Sequence, residues 1–394
     1  MKYLLIIFDG MADEPIDELD GATPMQVAKT PFMDQLAEQG RVGVVYTTPE
    51  EMQPGSDITN MNILGYDPQE FYTGRAPLEA ASLEIPLDPK DVAFRCNLVS
   101  TDGKLMLDSS AGHISTEEAR ILIDLVSEKL STQFIRFYPG MSYRHIMVWR
   151  DGSDNVHTTA PYKFVGKPFA DYLPEGDGEE KLRELILDSY EILSEHVINQ
   201  RRIDEDHQPA NMIWFWGEGR QPDIPSFFSR YGLKASVVAA VDLIRGFGRM
   251  VGMRVIDVPG ATGYIDTNYA GKGQYALAAL QDSDFVWVHV EAADEAGHEQ
   301  KLDKKIEAIE RMDAETLGTI MHGLEKTRED VRILLLPDHP TPLATGGHTS
   351  NPVPFVLYDS TNKQRNSLPF DENAVEESEF RIEEGHRLID LLLE

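Results

Sequence analysis

Residues 334–349 read Leu-Leu-Leu-Pro-Asp-His-Pro-Thr-Pro-Leu-Ala-Thr-Gly-Gly-His-Thr. The apolar run is too short for a helix and is bounded by Pro337, so it predicts a buried strand that ends at Asp338 and His339. In open α/β sheets, ligands bind at the carboxyl ends of the strands. Together with His348, these residues offer the carboxylate and imidazole donors that zinc and manganese accept. The same residues also suit a plain turn with a hydrogen-bonded histidine. Other parts of the chain are needed to distinguish a metal site from such a turn.

Other acidic and imidazole residues follow predicted strands in the same way. Asp9 ends the β-prone run 3–8, which is uninterrupted, as in a central strand that is buried on both faces. Asp294 and His298 follow the run 285–290, and their spacing of one helical turn places them on one face. Singly each is a weak signal, since Asp-His pairs also occur on exposed helices. Jointly these residues offer two sets of oxygen and nitrogen donors, as a centre with two divalent ions requires.

Ser56 lies in the turn 53–57, directly before a predicted helix over 58–64. A serine hydroxyl is a poor nucleophile until a base or a metal ion lowers its pKa. At a helix amino terminus, the free amides and the helix dipole also stabilise a bound phosphate. Alternatively, Ser56 only caps the helix, although Asp57 could serve as the cap and leave the serine hydroxyl available.

The order of the predicted elements indicates an α/β fold with an inserted, smaller α+β domain. Residues 1–80 and 178–394 show the α/β rhythm and are expected to form one discontinuous domain around a mostly parallel sheet flanked by helices. Residues 81–177, in which several strands accompany one helix, are expected to form the insertion.

Four local predictions bear on the site and on the domain boundaries. A strand at 42–46 completes a βαβ-like opening with the first strand, residues 235–247 form a helix, and single long helices cover 179–200 and 302–326.

Composition limits the partners of the protein. Against 67 acidic residues there are only 36 lysines and arginines, a net charge of −31, so the surface should repel nucleic acid and anionic lipid. An anionic substrate would need a local cluster of cations. Cys96 is the only cysteine, which rules out an intramolecular disulfide and suits a reducing cytoplasm. No apolar stretch approaches the roughly 20 residues of a membrane helix, and no pattern indicates an oligomeric state.

Seven further motifs are distributed along the chain. They are Asp-Gly-Met-Ala-Asp at 9–13, Pro-Gly-Ser-Asp at 54–57, Ile-Leu-Gly-Tyr-Asp-Pro at 63–68, Tyr-Thr-Gly-Arg-Ala-Pro-Leu-Glu-Ala at 72–80, Phe-Arg-Cys-Asn-Leu-Val at 94–99, Ser-Ala-Gly-His-Ile at 110–114 and Val-Pro-Gly-Ala-Thr-Gly at 258–263. Together these motifs resemble the archaeal-type cofactor-independent phosphoglycerate mutases, a family of the alkaline phosphatase superfamily. The resemblance covers nearly the whole chain.

The resemblance implies an alkaline-phosphatase-like fold and an isomerase that interconverts 3-phosphoglycerate and 2-phosphoglycerate through a phosphoserine on Ser56. It implies two divalent ions and no 2,3-bisphosphoglycerate; the donor types favour manganese, with zinc or magnesium as alternatives. The inserted domain would bind the substrate and act as a lid that excludes water. The implied ligands are Asp294, His298 and His348 for one ion and Asp9, Ser56, Asp338 and His339 for the other.

The small anionic substrate needs its own set of contacts. The resemblance assigns substrate contacts to His113 and Lys234. Arg75, Arg95 and Arg144 are candidates because a planar guanidinium binds phosphate and carboxylate in a bidentate manner, although they could also be ordinary surface charges.

Three other functions remain open at this point. Some bacterial members of the same family are labelled homoserine kinases, although the chain has no glycine-rich nucleotide-binding loop of the usual pattern. A metal-dependent phosphatase or phosphodiesterase would use the same donors. A non-catalytic binding protein that has kept the fold is the third possibility, and the presence of every expected ligand argues against it.

Overall fold

The computed structural model describes residues 1–327 and 329–394. The chain separates into two compact units, which we call unit 1 (Met1–Tyr72 and Ile224–Glu394) and unit 2 (Thr73–Asp223). Unit 2 is larger than the predicted insertion 81–177. Its sheet includes a strand that lies beyond the predicted end of the insertion. A change in local composition along the chain does not reveal such a long-range pairing.

The strands are, in chain order, β1 (Lys2–Phe8), β2 (Arg41–Val45), β3 (Val92–Thr101), β4 (Met106–Asp108), β5 (Ile135–Tyr138), β6 (Arg144–Trp149), β7 (Val156–His157), β8 (Glu175–Gly176), β9 (Met212–Arg220), β10 (Ala235–Val238), β11 (Arg254–Ile256), β12 (Phe285–Val290), β13 (Val331–Leu336), β14 (Val353–Asp359) and β15 (Arg381–Ile382).

The α-helices are α1 (Pro24–Val27), α2 (Pro31–Gln39), α3 (Ser56–Ile63), α4 (Pro68–Phe71), α5 (Arg75–Ser82), α6 (Thr116–Leu130), α7 (Glu179–Ser194), α8 (Val197–Asp204), α9 (Phe227–Tyr231), α10 (Asp242–Met250), α11 (Tyr269–Ala279), α12 (Ala292–His298), α13 (Leu302–Arg311), α14 (Gly318–Thr327), α15 (Asn373–Glu377) and α16 (Leu388–Leu393). Short 3₁₀ turns cover Asp17–Leu19, Pro161–Phe164, Phe169–Tyr172 and Gly385–Arg387, and a π-helical segment covers Met312–Leu317.

Unit 1 is built on a sheet with the strand order β11-β10-β12-β1-β13-β14-β2-β15. Among the described strands of this sheet, only β14 runs against the others. The predicted mostly parallel sheet is therefore confirmed. Leu4 in β1 faces Val286 in β12 and Ile333 in β13, and all three side chains are fully buried. The predominantly apolar strands β1, β12 and β13 thus form the centre of the sheet, as their composition predicts.

Unit 2 has an antiparallel sheet in which β3 is central, with β4, β6 and β9 as its neighbours and β5 beyond β6. One face packs against α6 and α7 through an apolar cluster that includes Leu122, Leu185 and Trp214. The other face packs against α5, where Ala76 and Ala80 contact Ala93 and its neighbours. This α+β architecture agrees with the prediction for the insertion.

Three local predictions differ from the structure of unit 1. Residues 235–247 were predicted as one helix but contain β10 followed by α10; the run Ala-Ser-Val-Val-Ala-Ala-Val suits either state, and pairing with β11 and β12 decides it. Strand β2 does not lie beside β1, because β13 and β14 lie between them. The predicted helix 302–326 is interrupted by the π-helical segment.

The predicted helix 179–200 in unit 2 also differs from the structure, since it breaks into α7 and α8 at Glu195 and His196. His196 caps α8, because its Nδ1 accepts a hydrogen bond from the Ile198 amide at 3.2 Å. None of the helices described, in either unit, combines the length and the apolar composition that crossing a bilayer requires.

Candidate active site

Three neighbouring parallel strands of unit 1 deliver carboxylates to the same edge of the sheet. Asp9 follows β1, Asp338 follows β13, and Asp294 lies in α12, which begins just after β12. Asp9 and Asp338 are fully buried and Asp294 is 4% exposed. This is the carboxyl edge, where an α/β sheet places its ligand sites. Gly10 makes the approach possible: its φ is +62°, and a Cβ there would lie 2.5 Å from the Cα of Asp294.

Ser56 is the first residue of α3, and its hydroxyl faces this cluster. Its Oγ donates to Asp9 Oδ2 at 3.3 Å and lies 3.2 Å from His339 Nε2. The serine hydroxyl therefore does not cap the helix. The Asp57 carboxylate accepts hydrogen bonds from the Ile58 amide and the Tyr72 hydroxyl. Ser56 thus presents its oxygen to acidic and imidazole side chains at a helix amino terminus.

Asp9, Asp338 and His339 form one group of potential metal donors, with atoms within 4.8 Å of one another. His339 Nε2 lies 3.5 Å from Asp9 Oδ1 and 3.5 Å from Asp338 Oδ2. Thr59 and Asn60, on the next turn of α3, donate to Asp338 Oδ2 at 3.1 and 2.7 Å. The helix that carries Ser56 therefore also orients the Asp338 carboxylate.

Asp294, His298 and His348 form a second cluster beside the first. Asp294 lies 3.2 Å from His298 Nε2 and 3.3 Å from His348 Nε2, and the two Nε2 atoms are 3.0 Å apart. His298 Nδ1 donates to the Gly346 carbonyl oxygen at 2.8 Å, which orients the ring so that Nε2 faces Asp294. His339 also lies within 4.8 Å of Asp294 and His348, so its position suits either of two ions.

The electrostatics of the cluster fit a site for divalent cations. Burial, and then the nearby Asp338 and Asp294, raise the pKa of Asp9 well above its ordinary value. Burial alone would also raise the pKa of Asp294, but hydrogen bonds from His298 and His348 outweigh it and lower that pKa. Asp9 Oδ1 is buried without a hydrogen-bond partner in the described part of the chain. Bound cations would stabilise these buried, closely spaced carboxylates and the oxygen that lacks a hydrogen-bond partner. The combination of carboxylate and imidazole donors suits borderline to hard divalent ions.

Four of the predicted substrate contacts cluster within unit 2. Glu79 Oε1 bonds Arg75 Nε at 3.1 Å, and its Oε2 lies 2.9 Å from Arg95 Nε. Burial would raise the pKa of Glu79, but Arg95 and Arg75, with a contribution from Arg144, lower it. The structure therefore groups the three predicted arginines around one carboxylate.

Aromatic rings extend this cluster of guanidinium groups. The Arg95 guanidinium lies 4.2 Å from the centre of the Trp216 ring, and that indole donates to Asn97 at 3.1 Å. Arg144 lies 5.6 Å from the Tyr143 ring, and the exposed His113 packs edge-on to the same ring. His113 and the arginines thus share one neighbourhood, in line with the requirement for local cations.

Lys234 is not near the cluster of carboxylates. It is exposed and precedes β10, where its amide and carbonyl groups bond Asp284 at the amino edge of the parallel strands. The carboxylates lie at the opposite edge, so this position does not fit the predicted substrate contact. The resemblance alone assigns that contact, and the predicted helix over 235–247 gives no strand direction against which to check it.

Several side chains near the site were missed in the sequence. Lys272 in α11 is 1% exposed and donates to the His289 carbonyl at 3.2 Å, and burial lowers the pKa of Lys272 to about 8. His289 Nε2 lies 3.3 Å from Asp9 Oδ2. Asn60 could have been found, because it lies one helical turn after Ser56. A buried lysine leaves no comparable signal, since lysines usually occupy exposed positions.

Comparisons with known proteins agree on one family. A model of the 2,3-bisphosphoglycerate-independent phosphoglycerate mutase family matches residues 37–199. A relative from Geobacter sulfurreducens, named a probable 2,3-bisphosphoglycerate-independent phosphoglycerate mutase, is 48% identical over 100% of both chains. A relative from Methanothrix thermoacetophila, which bears that enzyme name, is also 48% identical over 100% of both chains.

Two solved structures are similar to the chain over nearly its full length. A protein from Pyrococcus horikoshii has a TM-score of 0.83 at 32% identity, covering 99% of this chain and 97% of its own. The cofactor-independent phosphoglycerate mutase from Thermoplasma acidophilum has a TM-score of 0.67 at 27% identity, covering 100% of this chain and 99% of its own. On the strength of full-length relatives at nearly half identity, the chain belongs to the 2,3-bisphosphoglycerate-independent phosphoglycerate mutase family.

Proposed function

We propose that this protein interconverts 3-phosphoglycerate and 2-phosphoglycerate, with the Ser56 hydroxyl as the group that carries the phosphoryl intermediate. The names of the full-length relatives support the reaction and favour it over the kinase-like alternative. The position of Ser56 carries the proposed mechanism, because its Oγ touches Asp9 and His339 at the start of a helix. A phosphoryl group on that oxygen would meet the positive end of the helix dipole and free amides.

Two divalent ions fit the donor set. Such ions, when bound, stabilise the charge on the oxygen atoms that attack and leave during phosphoryl transfer. We favour manganese, with zinc or magnesium as alternatives, because the donors combine carboxylate oxygen with imidazole nitrogen. The proposed ligands are Asp294, His298 and His348 for one ion, and Asp9, Ser56, Asp338 and His339 for the other.

The chain's own residues then perform a transfer that conserves the phosphoryl group. Ser56 Oγ gives up its proton and forms a bond to phosphorus while the bond from phosphorus to the C3 oxygen of the substrate breaks, and that oxygen takes up a proton. The glycerate turns, its C2 hydroxyl gives up its proton and bonds the same phosphorus, and Ser56 Oγ is released and takes up a proton again. Water must not reach the phosphoserine in between, because it would release inorganic phosphate.

The arginine cluster of unit 2 suits the anionic parts of the substrate. Glu79 engages Arg75 and Arg95 through their Nε atoms. A guanidinium has further N–H donors beyond Nε, and these can bind a carboxylate or phosphate. The role of unit 2 as a lid and the cytoplasmic location remain predictions from the sequence.

The reaction itself is the first test. We expect purified protein with Mn²⁺ to convert 3-phosphoglycerate into 2-phosphoglycerate until equilibrium, with phosphorus NMR showing one product and only traces of inorganic phosphate. Adding homoserine and ATP should not cause ATP consumption. Stoichiometric phosphate release without 2-phosphoglycerate would instead identify a phosphatase, and homoserine-dependent ATP consumption would identify a kinase.

Replacing Arg144 tests the substrate contacts. We expect Arg144→Gln to raise the KM for 3-phosphoglycerate about 10- to 100-fold with a smaller change in kcat, because a charge-assisted hydrogen bond contributes about 1.5–3 kcal/mol. Arg150→Gln is the matched control, since Arg150 is exposed just beyond the other end of β6. An unchanged KM in the Arg144 variant, or an equal rise in both variants, would remove Arg144 from the substrate site.

A further inference from the structure

Lys305 in α13 of unit 1 has a fully buried ammonium group whose three hydrogens all have acceptors. Its Nζ bonds the Ala12 carbonyl at 3.1 Å, Asp13 Oδ2 at 2.7 Å and the Thr341 carbonyl at 2.8 Å. A buried charge is costly unless it is paired and hydrogen-bonded in this way. Nothing in the proposed transfer of the phosphoryl group uses Lys305, so its presence in the interior needs another explanation.

The acceptors of Lys305 belong to two loops that carry proposed metal ligands. Ala12 and Asp13 lie in the loop after β1, which begins with Asp9. Thr341 lies in the loop after β13, which carries Asp338, His339 and His348. The loops also bond each other directly, since the Thr341 amide donates to the Ala12 carbonyl at 3.1 Å and the Leu343 amide donates to Asp13 Oδ1 at 3.2 Å.

Thr341 connects this junction to the ligands themselves. Its Oγ1 donates to Asp294 Oδ1 at 2.5 Å and lies 3.3 Å from His339 Nδ1. Its carbonyl oxygen lies against α12, where a Cβ on Gly297 would come within 2.6 Å of it. A displacement of Thr341 would therefore move the Asp294 carboxylate and the His339 ring together.

A second layer holds Asp13 in place. The Asp13 amide donates to Glu372 Oε1 at 2.9 Å, and the Thr23 hydroxyl donates to Glu372 Oε2 at 2.5 Å. Asp13 also accepts from the Glu14 amide at 2.8 Å. The partner of Lys305 is thus fixed by groups that do not belong to either cluster of ligands.

We propose that the Lys305–Asp13 pair is a positioning device for the metal centre, holding the loops after β1 and β13 in the geometry that sets divalent-ion affinity. The inference rests on the ligand assignment of the proposed function. Lys305 contacts neither the reacting atoms nor a proposed ligand side chain; it acts through Thr341 and the backbone of the two loops.

The double variant Lys305→Met/Asp13→Asn tests this role. It removes both charges together, so no unpaired charge remains inside, and the asparagine oxygen can still accept from the Leu343 amide. We expect Mn²⁺ affinity, measured by calorimetry on metal-free protein, to fall about 10- to 100-fold, as for other residues that orient metal ligands. The metal-free unfolding midpoint should stay close to that of the wild type. At saturating Mn²⁺, kcat and the KM for 3-phosphoglycerate should largely recover.

Three further variants serve as controls for this experiment. Lys304→Met, on the neighbouring and more exposed lysine, should leave Mn²⁺ affinity unchanged. Thr341→Val keeps the Lys305–Asp13 pair but removes the hydroxyl that orients Asp294, so it should weaken Mn²⁺ binding even if the double variant does not fold. Thr341→Ser should restore the affinity.

The contrary results are equally specific. Wild-type Mn²⁺ affinity in the folded double variant, or in Thr341→Val where the double variant does not fold, would show that the pair only stabilises the fold. A wild type that binds two ions but forms no 2-phosphoglycerate would contradict the proposed function alone. A wild type that binds no ion would contradict the ligand assignment.

Discussion

Ser56→Ala should reduce the conversion of 3-phosphoglycerate to 2-phosphoglycerate by about 10⁴-fold or more, which is the scale of losing a covalent nucleophile. The alanine has no oxygen that can bond phosphorus, while the other proposed metal ligands remain. The assay should use saturating Mn²⁺, because the variant also lacks one oxygen donor. Wild-type protein quenched during turnover should gain the mass of one phosphoryl group, and the variant should gain none.

Ser229→Ala is a suitable control for this experiment. Ser229 lies in the short helix α9 of the same unit and is exposed. Its replacement should leave both turnover and the phosphoryl adduct unchanged. If Ser56→Ala retained more than about 1% of the activity at saturating Mn²⁺, a phosphoserine at this position could not be the main route.

Removing divalent metal should abolish activity and lower the stability of unit 1. Without ions, Asp9, Asp294 and Asp338 face one another with little access to water, and the unfolded state relieves that repulsion. Binding to the folded state alone adds about 1.4 kcal/mol for each tenfold rise in free ion above Kd. The unfolding midpoint should therefore climb steadily as Mn²⁺ is added back to chelated protein.

Calorimetry and activity measurements with added metal identify the ligands and the preferred ion. Asp294→Asn should remove one of two Mn²⁺ binding events in calorimetry, because it replaces a carboxylate by a neutral amide. Activity should return most fully with Mn²⁺, and less with Zn²⁺ or Mg²⁺. Full turnover by protein with less than about 0.1 metal ion per chain would contradict a metal-dependent transfer.

The centre of the sheet could be predicted from the sequence because each central strand consists mostly of apolar residues. Asp9 and Asp338 directly follow such runs, so the shared direction of parallel strands places them together. That reasoning does not reach Lys234, whose substrate contact comes from the resemblance alone, because the run after it predicts a helix instead of β10. Single amino-acid patterns do not decide between helix and strand there; neighbouring strands do.

The sequence does not predict polar contacts between residues that lie far apart in the chain. Lys305 lies in an amphipathic helix, where a lysine normally indicates the exposed face, and its acceptors come from two distant segments of the chain. The boundary of unit 2 was misplaced for a related reason. Strand β9 pairs with β3 although a long stretch of chain separates the two strands. The local amino-acid composition does not indicate that pairing.

The arrangement of the central strands has a consequence for biosynthesis. Strand β1 is synthesised long before its hydrogen-bonded neighbours β12 and β13, which follow the whole of unit 2 in the chain. Unit 2 is one continuous segment and has all its partners much earlier. We therefore expect unit 2 to fold first in the nascent chain, while β1 still lacks its neighbouring strands. At that stage the unpaired strand is prone to aggregation, and chaperones matter most. Because its proposed donors run from Asp9 to His348, the metal centre cannot assemble until His348 has been synthesised.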